Sequence, residues 1–439
     1  MIRVVDAASQ GLDAVADALR ALPAAITHEA MRDVDAIMDA VRRQGDAALV
    51  SLTEKYEGYT PRAAGELVIA PAAFVAAERG LDGPTRAALG YAAERIERYH
   101  AAAAPKSWRI TDEHGSSLGQ EIRPLDRVGI YVPGGRAAYP STVLMTAIPA
   151  RVAGVRELVV VTPPASDGGV NQTVLAAAHI AGVTEGYRIG GAQAIAALAY
   201  GTTTVKRVDK IVGPGNVYVA LAKRRAFGEV GIDMLAGPSE VVVIADAHAD
   251  PQCIAADLLA QAEHDPMARA ILIADAEPLI AAVAAALEQQ LTRLPRRAIA
   301  AEALEAHGAL VRVATLDDAV ELANRLAPEH LELLVQAPQP LLARVRHAGA
   351  VFVGGHTPEV VGDYVAGPSH VLPTGGTARF SSPLGVEDFV KRSSVIEYSR
   401  AGLAAALPHL RTLTRVEGLE GHGAAAEVRQ DTGRGGSQA

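Results

Sequence analysis

Gln261 and His264 stand three residues apart in DLLAQAEHD, a stretch in which Asp250 can cap and Pro251 can begin a helix. That spacing puts an amide oxygen and an imidazole nitrogen on one helical face, where they can converge on a metal ion or simply make a polar outer face. The segment GGHTPEVVGDYVAGPSH adds His356, Glu359, Asp363 and His370. A carboxylate such as Asp363 in a Gly-bounded stretch can reach a divalent cation, and solvated loop residues are the other reading. His422, in EGLEGHGAAAE with Glu417 and Glu420 nearby, can be a ligand supplied across a subunit boundary or part of a frayed end.

Pro328, Glu329 and His330 in LAPEHLELL form a separate signal. Read as the first turn of a helix, the pair can border a cleft, where the imidazole suits removal of a hydroxyl proton and the carboxylate suits activation of water. A solvated helix start is the alternative. Glycines at Pro133-Gly134-Gly135, Gly190-Gly191 and Gly213-Pro214-Gly215-Asn216 let a phosphate approach a helix N-terminus, although none fits G-x-G-x-x-G and tight turns use the same glycines. The single cysteine, Cys253, excludes an intrachain disulfide framework and a Cys-rich zinc module, and reads as an inert thiol buried in a helix. Any metal must then sit on imidazole, carboxylate or amide ligands.

The elements that position these residues follow from the texture of the chain. From Leu12 to about His100 the pattern is helical and Ala-rich, with Val34, Ile37, Met38 and Val41 at helical spacing. From Arg127 short apolar runs ending in Gly or Pro alternate with Ala-rich stretches: RVGIYVPGG, ELVVVTPP, GYRIGG and DKIVGPGN, then EVVVIADA and ARAILIADA. Such alternation predicts βα units of parallel sheets, and two doubly wound, incompletely Rossmann-like α/β domains are the simplest account. Pro368 to Ser394 is too rich in Gly, Pro and Ser for regular structure, and RQDTGRGGSQA reads as a disordered tail. With 439 residues, 41 basic against 50 acidic side chains and a net charge of −9, the chain exceeds one core and lacks a footprint for nucleic acid. No run of about 18 uncharged apolar residues suggests a membrane span, and acidic residues in MIRVVDAASQGLDAV argue against a secretory signal, so a cytoplasmic location is expected.

Taken together, PLDRVGIYVPGG, YPSTVLMTAIPA, GGAQAIAALAYGT, KIVGPGN, AGPSE, DLLAQAEHD, ANRLAPEHLEL and GPSHVLPTGGTARFSSPL resemble the histidinol dehydrogenase family, over about Val34 to Val428. The resemblance implies one zinc per subunit held by Gln261, His264, Asp363 and His422, the last given by a partner subunit in a homodimer with shared sites. It gives Glu329 and His330 the acid/base roles. Ser239, His370 and Glu417 match substrate-contacting positions, alongside the zinc ligands and His330, and Tyr131, Gln193 and Asn216 match positions lining an NAD site. The implied reaction takes L-histidinol through the aldehyde to L-histidine with two NAD reduced, the closing steps of histidine biosynthesis. The alternatives are a zinc- and NAD-dependent dehydrogenase of another small alcohol and a zinc hydrolase.

The expected division has an N-terminal helical segment (1–30) packing with the C-terminal part and a first α/β domain (31–131 with 239–385) carrying metal and catalytic residues. A second α/β domain (132–238) takes the NAD side, and a C-terminal extension (386–439) reaches the partner.

Overall fold

Short runs rich in Val, Ile and Ala, apolar on both faces, can be stable only as strands covered on both sides, and the chain forms two parallel sheets from them. The structure is a computed structural model that describes residues 2–20, 27–134 and 138–431. Its strands are β1 (Arg3–Asp6), β2 (Val68–Ile69), β3 (Trp108–Thr111), β4 (Ser117–Pro124) and β5 (Arg127–Tyr131). They continue with β6 (Glu157–Thr162), β7 (Glu185–Arg188), β8 (Lys210–Val212), β9 (Gly231–Ile232) and β10 (Glu240–Ala245). β11 (Arg269–Ala274), β12 (Ala309–Arg312), β13 (His330–Leu334), β14 (Ala350–Val353) and β15 (Val390–Glu397) complete the set.

One sheet has the order β2-β7-β6-β5-β8-β9, parallel except for the β2 edge, and the other runs β1-β12-β11-β10-β13-β14 in parallel. Strand order reverses between β5 and β8 in the first sheet and between β10 and β13 in the second, the doubly wound pattern that the sequence predicts.

The division of the chain differs from expectation. Residues 28–103 cover the β5–β9 sheet: Val34 and Ile37 pack in one core with Ile195 and Leu198, and Phe74 and Ile96 in another with Leu144 and Val160. An inner strand of that sheet is β5, so a boundary at 131 would cut it from its partners β6 and β8. The N-terminal segment is not wholly helical either, because β1 pairs with β12, and Val15 and Leu19 pack with Val320 and Ala323 on the second sheet.

Contacts divide the molecule into one unit of Met1–Ala103 with Leu125–Phe389 and another of Ala104–Pro124 with Val390–Ala439. In the second unit β15 pairs with β4 and β4 with β3, all antiparallel. Residues 390–394, read as irregular, are therefore strand: the polar Lys-Arg-Ser-Ser run is exposed, and its backbone is satisfied by β4. Arg429 to Asp431 end a helix, and the rest of the expected tail lies outside the described residues, as does Gly135.

Candidate active site

The helix Leu316–Leu326 ends where Ala327 takes a left-handed conformation (φ 51°) and donates its N–H to the Ala323 carbonyl. Pro328 cannot continue a helix, so Pro-Glu-His opens β13 rather than the helix read from sequence. Glu329 and His330 are thereby buried at the amino end of an inner strand. This is the opposite end from the one at which doubly wound sheets usually bind ligands.

Glu240, at the start of the neighbouring β10, touches both through its backbone. Its N–H donates to Glu329 Oε2 at 3.0 Å, and its carbonyl oxygen lies 3.1 Å from His330 Nδ1. A carbonyl only accepts, so Nδ1 carries the imidazole proton and Nε2 is left with its lone pair. Nε2 has no hydrogen-bond partner and lies 3.8 Å from Asp363 Oδ1. Burial, with His264 and His370 close by, pushes the His330 pKa down to about 3, which keeps the ring neutral and able to accept a proton.

Carboxyl groups crowd the other side. The short helix Glu359–Tyr364 begins with Glu359, whose N–H donates to Glu332 Oε1 at 2.9 Å and whose carboxylate approaches His330 Nδ1 at 3.5 Å. His330, Glu359 and Asp363 offer ligand atoms within 4.8 Å of one another. Glu332 in turn lies beside Asp257 on the helix Pro251–Ala262. Burial raises all these carboxyls: Asp257 and Asp363 to about 6, Glu332 to about 8, and Glu329 and Glu359 well above their usual range. Such a set is short of positive charge.

Gln261 lies one helical turn beyond Asp257, on the same face, and is fully buried with neither amide atom hydrogen-bonded. An unpaired buried amide costs about 1–3 kcal/mol, so the site calls for a partner that the protein does not provide. His264 follows in the turn after the helix, open to solvent yet near enough to depress both His330 and His370. His370 Nδ1 is 3.0 Å from the Asp363 carbonyl and its Nε2 is 3.3 Å from Thr142 Oγ1. A cavity of about 420 Å³ joins His330, Asp363 and His370 to Tyr99 and His100. The unpaired amide of Gln261 and the Asp363 carboxyl, with the His264 imidazole close to His330, are the donor types that a zinc ion accepts.

The residues expected on the NAD side gather at the carboxyl ends of β5, β7 and β8, beside the point where strand order reverses. The Tyr131 hydroxyl accepts the Gly191 N–H at 3.1 Å, Gln193 is buried with its Nε2 unpartnered, and Asn216 Oδ1 caps the helix Val217–Ala226. Gly213 (φ 112°) lies so close to Tyr131 that a Cβ would stand 2.2 Å from the Tyr131 carbonyl oxygen, which leaves glycine as the residue that fits. The helix N-terminus at exposed Asn216 and the unpaired Gln193 amide suit a dinucleotide.

Ser239, partly buried, directly precedes Glu240. Glu417 and His422 are exposed in the second unit, and His356 is exposed in its loop. Cys253 is also exposed, not buried: the inward face of its helix carries Ile254, Leu258 and Gln261, and Cys253 falls outside it. Sequence reasoning passes over Glu240, Glu332, Asp257 and Thr142. A legible sign for Glu240 is a charge that opens the otherwise apolar run Val241 to Ala245.

The family model described as histidinol dehydrogenase matches residues 22–430. The histidinol dehydrogenase of Halalkalibacterium halodurans is 52% identical over 401 residues, covering 91% of this chain and 94% of that protein. That of Syntrophotalea carbinolica is 54% identical over 393 residues, covering 90% and 91%. The crystal structure of histidinol dehydrogenase from Elizabethkingia anophelis matches with a TM-score of 0.93 at 33% identity and 98% coverage of each chain. The family model over residues 22–430, relatives about half identical over nine tenths of the chain and a fold shared over nearly its whole length make this protein a dehydrogenase that belongs to the histidinol dehydrogenase family.

Proposed function

We propose that the chain oxidises L-histidinol to L-histidine in two successive two-electron steps through the enzyme-held aldehyde, with two NAD reduced and one water consumed. The observation that carries this reading is the joint placement of Glu329 and His330: one group to take a hydroxyl proton and one to activate water, both held by Glu240. Gln261, His264 and Asp363, with His422 of the partner subunit, would hold zinc, and Tyr131, Gln193 and Asn216 would line the NAD site. When bound, zinc would orient the substrate's imidazole and amine, and NAD would supply the hydride acceptor.

His330 Nε2 takes the hydroxyl proton as the first C–H electron pair leaves. Glu329 then takes a proton from the water that attacks the aldehyde, and His330, its first proton released to solvent, takes the hydroxyl proton of the hydrate as the second C–H electron pair leaves. Burial and the neighbouring Glu240 and Asp363 carboxylates hold Glu329 protonated, so its role as a base depends on the positive charge that a divalent cation brings beside Asp363. Ser239 and His370 contact the substrate from this unit, with Glu417 of the partner subunit.

A homodimer fits the second unit, which exposes Ile396, Leu413 and Val416 besides Glu417 and His422. No helix among the described residues is long and apolar enough to cross a membrane, and we place the enzyme in the cytoplasm, as a soluble biosynthetic protein.

The test is to count NADH per L-histidinol with zinc-loaded protein, limiting substrate and excess NAD. Two NADH per histidinol supports the four-electron reaction. One would mean that the aldehyde is released as product, and none with zinc in place would turn attention to other alcohols and then to hydrolysis.

A further inference from the structure

A glutamate at the head of an otherwise apolar inner strand needs a reason. Glu240 is buried and forms an ion pair with Arg269, its register partner across β10 and β11, and its Oε1 accepts the Gly375 N–H at 3.0 Å. Arg269 is buried too. It donates to the Leu19 carbonyl at 2.9 Å, and its backbone N–H donates to the Ser239 carbonyl at 3.0 Å. Apolar residues of similar volume commonly match or exceed a buried ion pair in stability, so stability alone does not account for this one.

The backbone of the same residue supplies what the side chain cannot. Its N–H holds Glu329 Oε2, and its carbonyl fixes the protonated nitrogen of His330. We propose that Glu240 is a positioning residue for both Glu329 and His330, with Arg269 and the Gly375 amide clamping its side chain so that one residue's two peptide groups aim both. The clamp also ties the Gly375–Gly376 turn to the same point. This inference rests on the roles given above to Glu329 and His330.

Full-length, zinc-loaded Glu240→Gln, Arg269→Met and Arg269→Lys chains test it. Glu240→Gln keeps the shape but loses the ionic partner, and Arg269→Lys keeps the charge but not the second bond to Leu19. Small misplacements of reacting groups cost about a hundredfold in rate, so Glu240→Gln and Arg269→Met are expected to lower kcat by roughly ten- to a hundredfold. KM for histidinol and NAD should stay within about twofold, zinc content should be unchanged, and NADH per histidinol should fall below two as aldehyde escapes. Arg269→Lys is expected to fold fully and keep most of the rate. A kcat that falls only with the folded fraction, at an unchanged NADH ratio, would overturn the proposal, as would a raised KM at constant kcat. The wild-type ratio is measured in parallel: a value other than two overturns the four-electron reading, whereas the kcat and KM split decides the positioning role.

Discussion

Lys223 and Asp233, both buried, close on each other beneath the loop Gly213 to Asn216: Lys223 Nζ also donates to the Gly213 carbonyl, and Asp233 Oδ2 accepts the Gly213 N–H. Both peptide groups of the glycine that packs on Tyr131 are thus tied to one ion pair. Lys223→Met leaves Asp233 buried without its partner and is expected to destabilise the fold by about 3–5 kcal/mol. Lys223→Met with Asp233→Leu removes the stranded charge but leaves the Gly213 N–H and carbonyl without these partners, so it should recover only part of that stability in urea unfolding and leave NAD affinity weakened. Unchanged NAD affinity in the double variant would separate the pair from the dinucleotide.

Gln261→Met removes two unpartnered buried amide atoms at nearly constant volume. The metal-free variant should be more stable than metal-free wild type by about 1–3 kcal/mol, and should hold less zinc after dialysis against a weak chelator. Thermal unfolding with and without zinc reads both effects. A metal-free variant less stable than wild type would mean that the amide has protein partners after all.

His100 is buried with both ring nitrogens unpartnered, and burial pushes its pKa from 6.5 to about 4. The unfolded chain therefore binds this proton first as the pH falls. The stability owed to a neutral His100 is fully present above pH 6.5 and is lost progressively as the pH falls toward about 4, on the order of 3 kcal/mol in all. His330 and His370 add to the same window. His100→Phe should flatten the fall of Tm between pH 6.5 and 4, and parallel curves for the two proteins would exclude it.

Mixing His422→Asn and His330→Asn chains under conditions of subunit exchange is expected to restore part of the activity. A shared site gives some mixed dimers one pocket with both groups intact. Confirmed exchange without any recovery would place His422 in its own subunit's site.

Much of this was legible because it was written in side chains. EVVVIA and RAILIA announced buried parallel strands through β-branched runs, whereas the helix read through Gln261 and His264 stops at Ala262 and leaves His264 in the turn beyond it. LAPEHLELL misled because Leu331, Leu333 and Leu334 fit a helical stripe as well as a buried strand, and only pairing with β10 decides between them. The place of residues 28–103 was unreadable for a similar reason: amphipathic helices show which face is apolar, not which sheet it covers. Glu240 was the least legible, since it acts through an N–H and a carbonyl that nearly every residue carries. Which peptide groups meet Glu329 and His330 is a matter of register, and register is tertiary.

The mounting of His330 on β13, paired with Val241 of β10 inside a six-stranded sheet, bears on how such an enzyme would wear out. Inner strands are the last parts of a protein to exchange their amide hydrogens, because they open only when the whole molecule does. An imidazole seated there does not fray ahead of its surroundings, so Glu329 and His330 should keep their places for as long as the sheet stays folded.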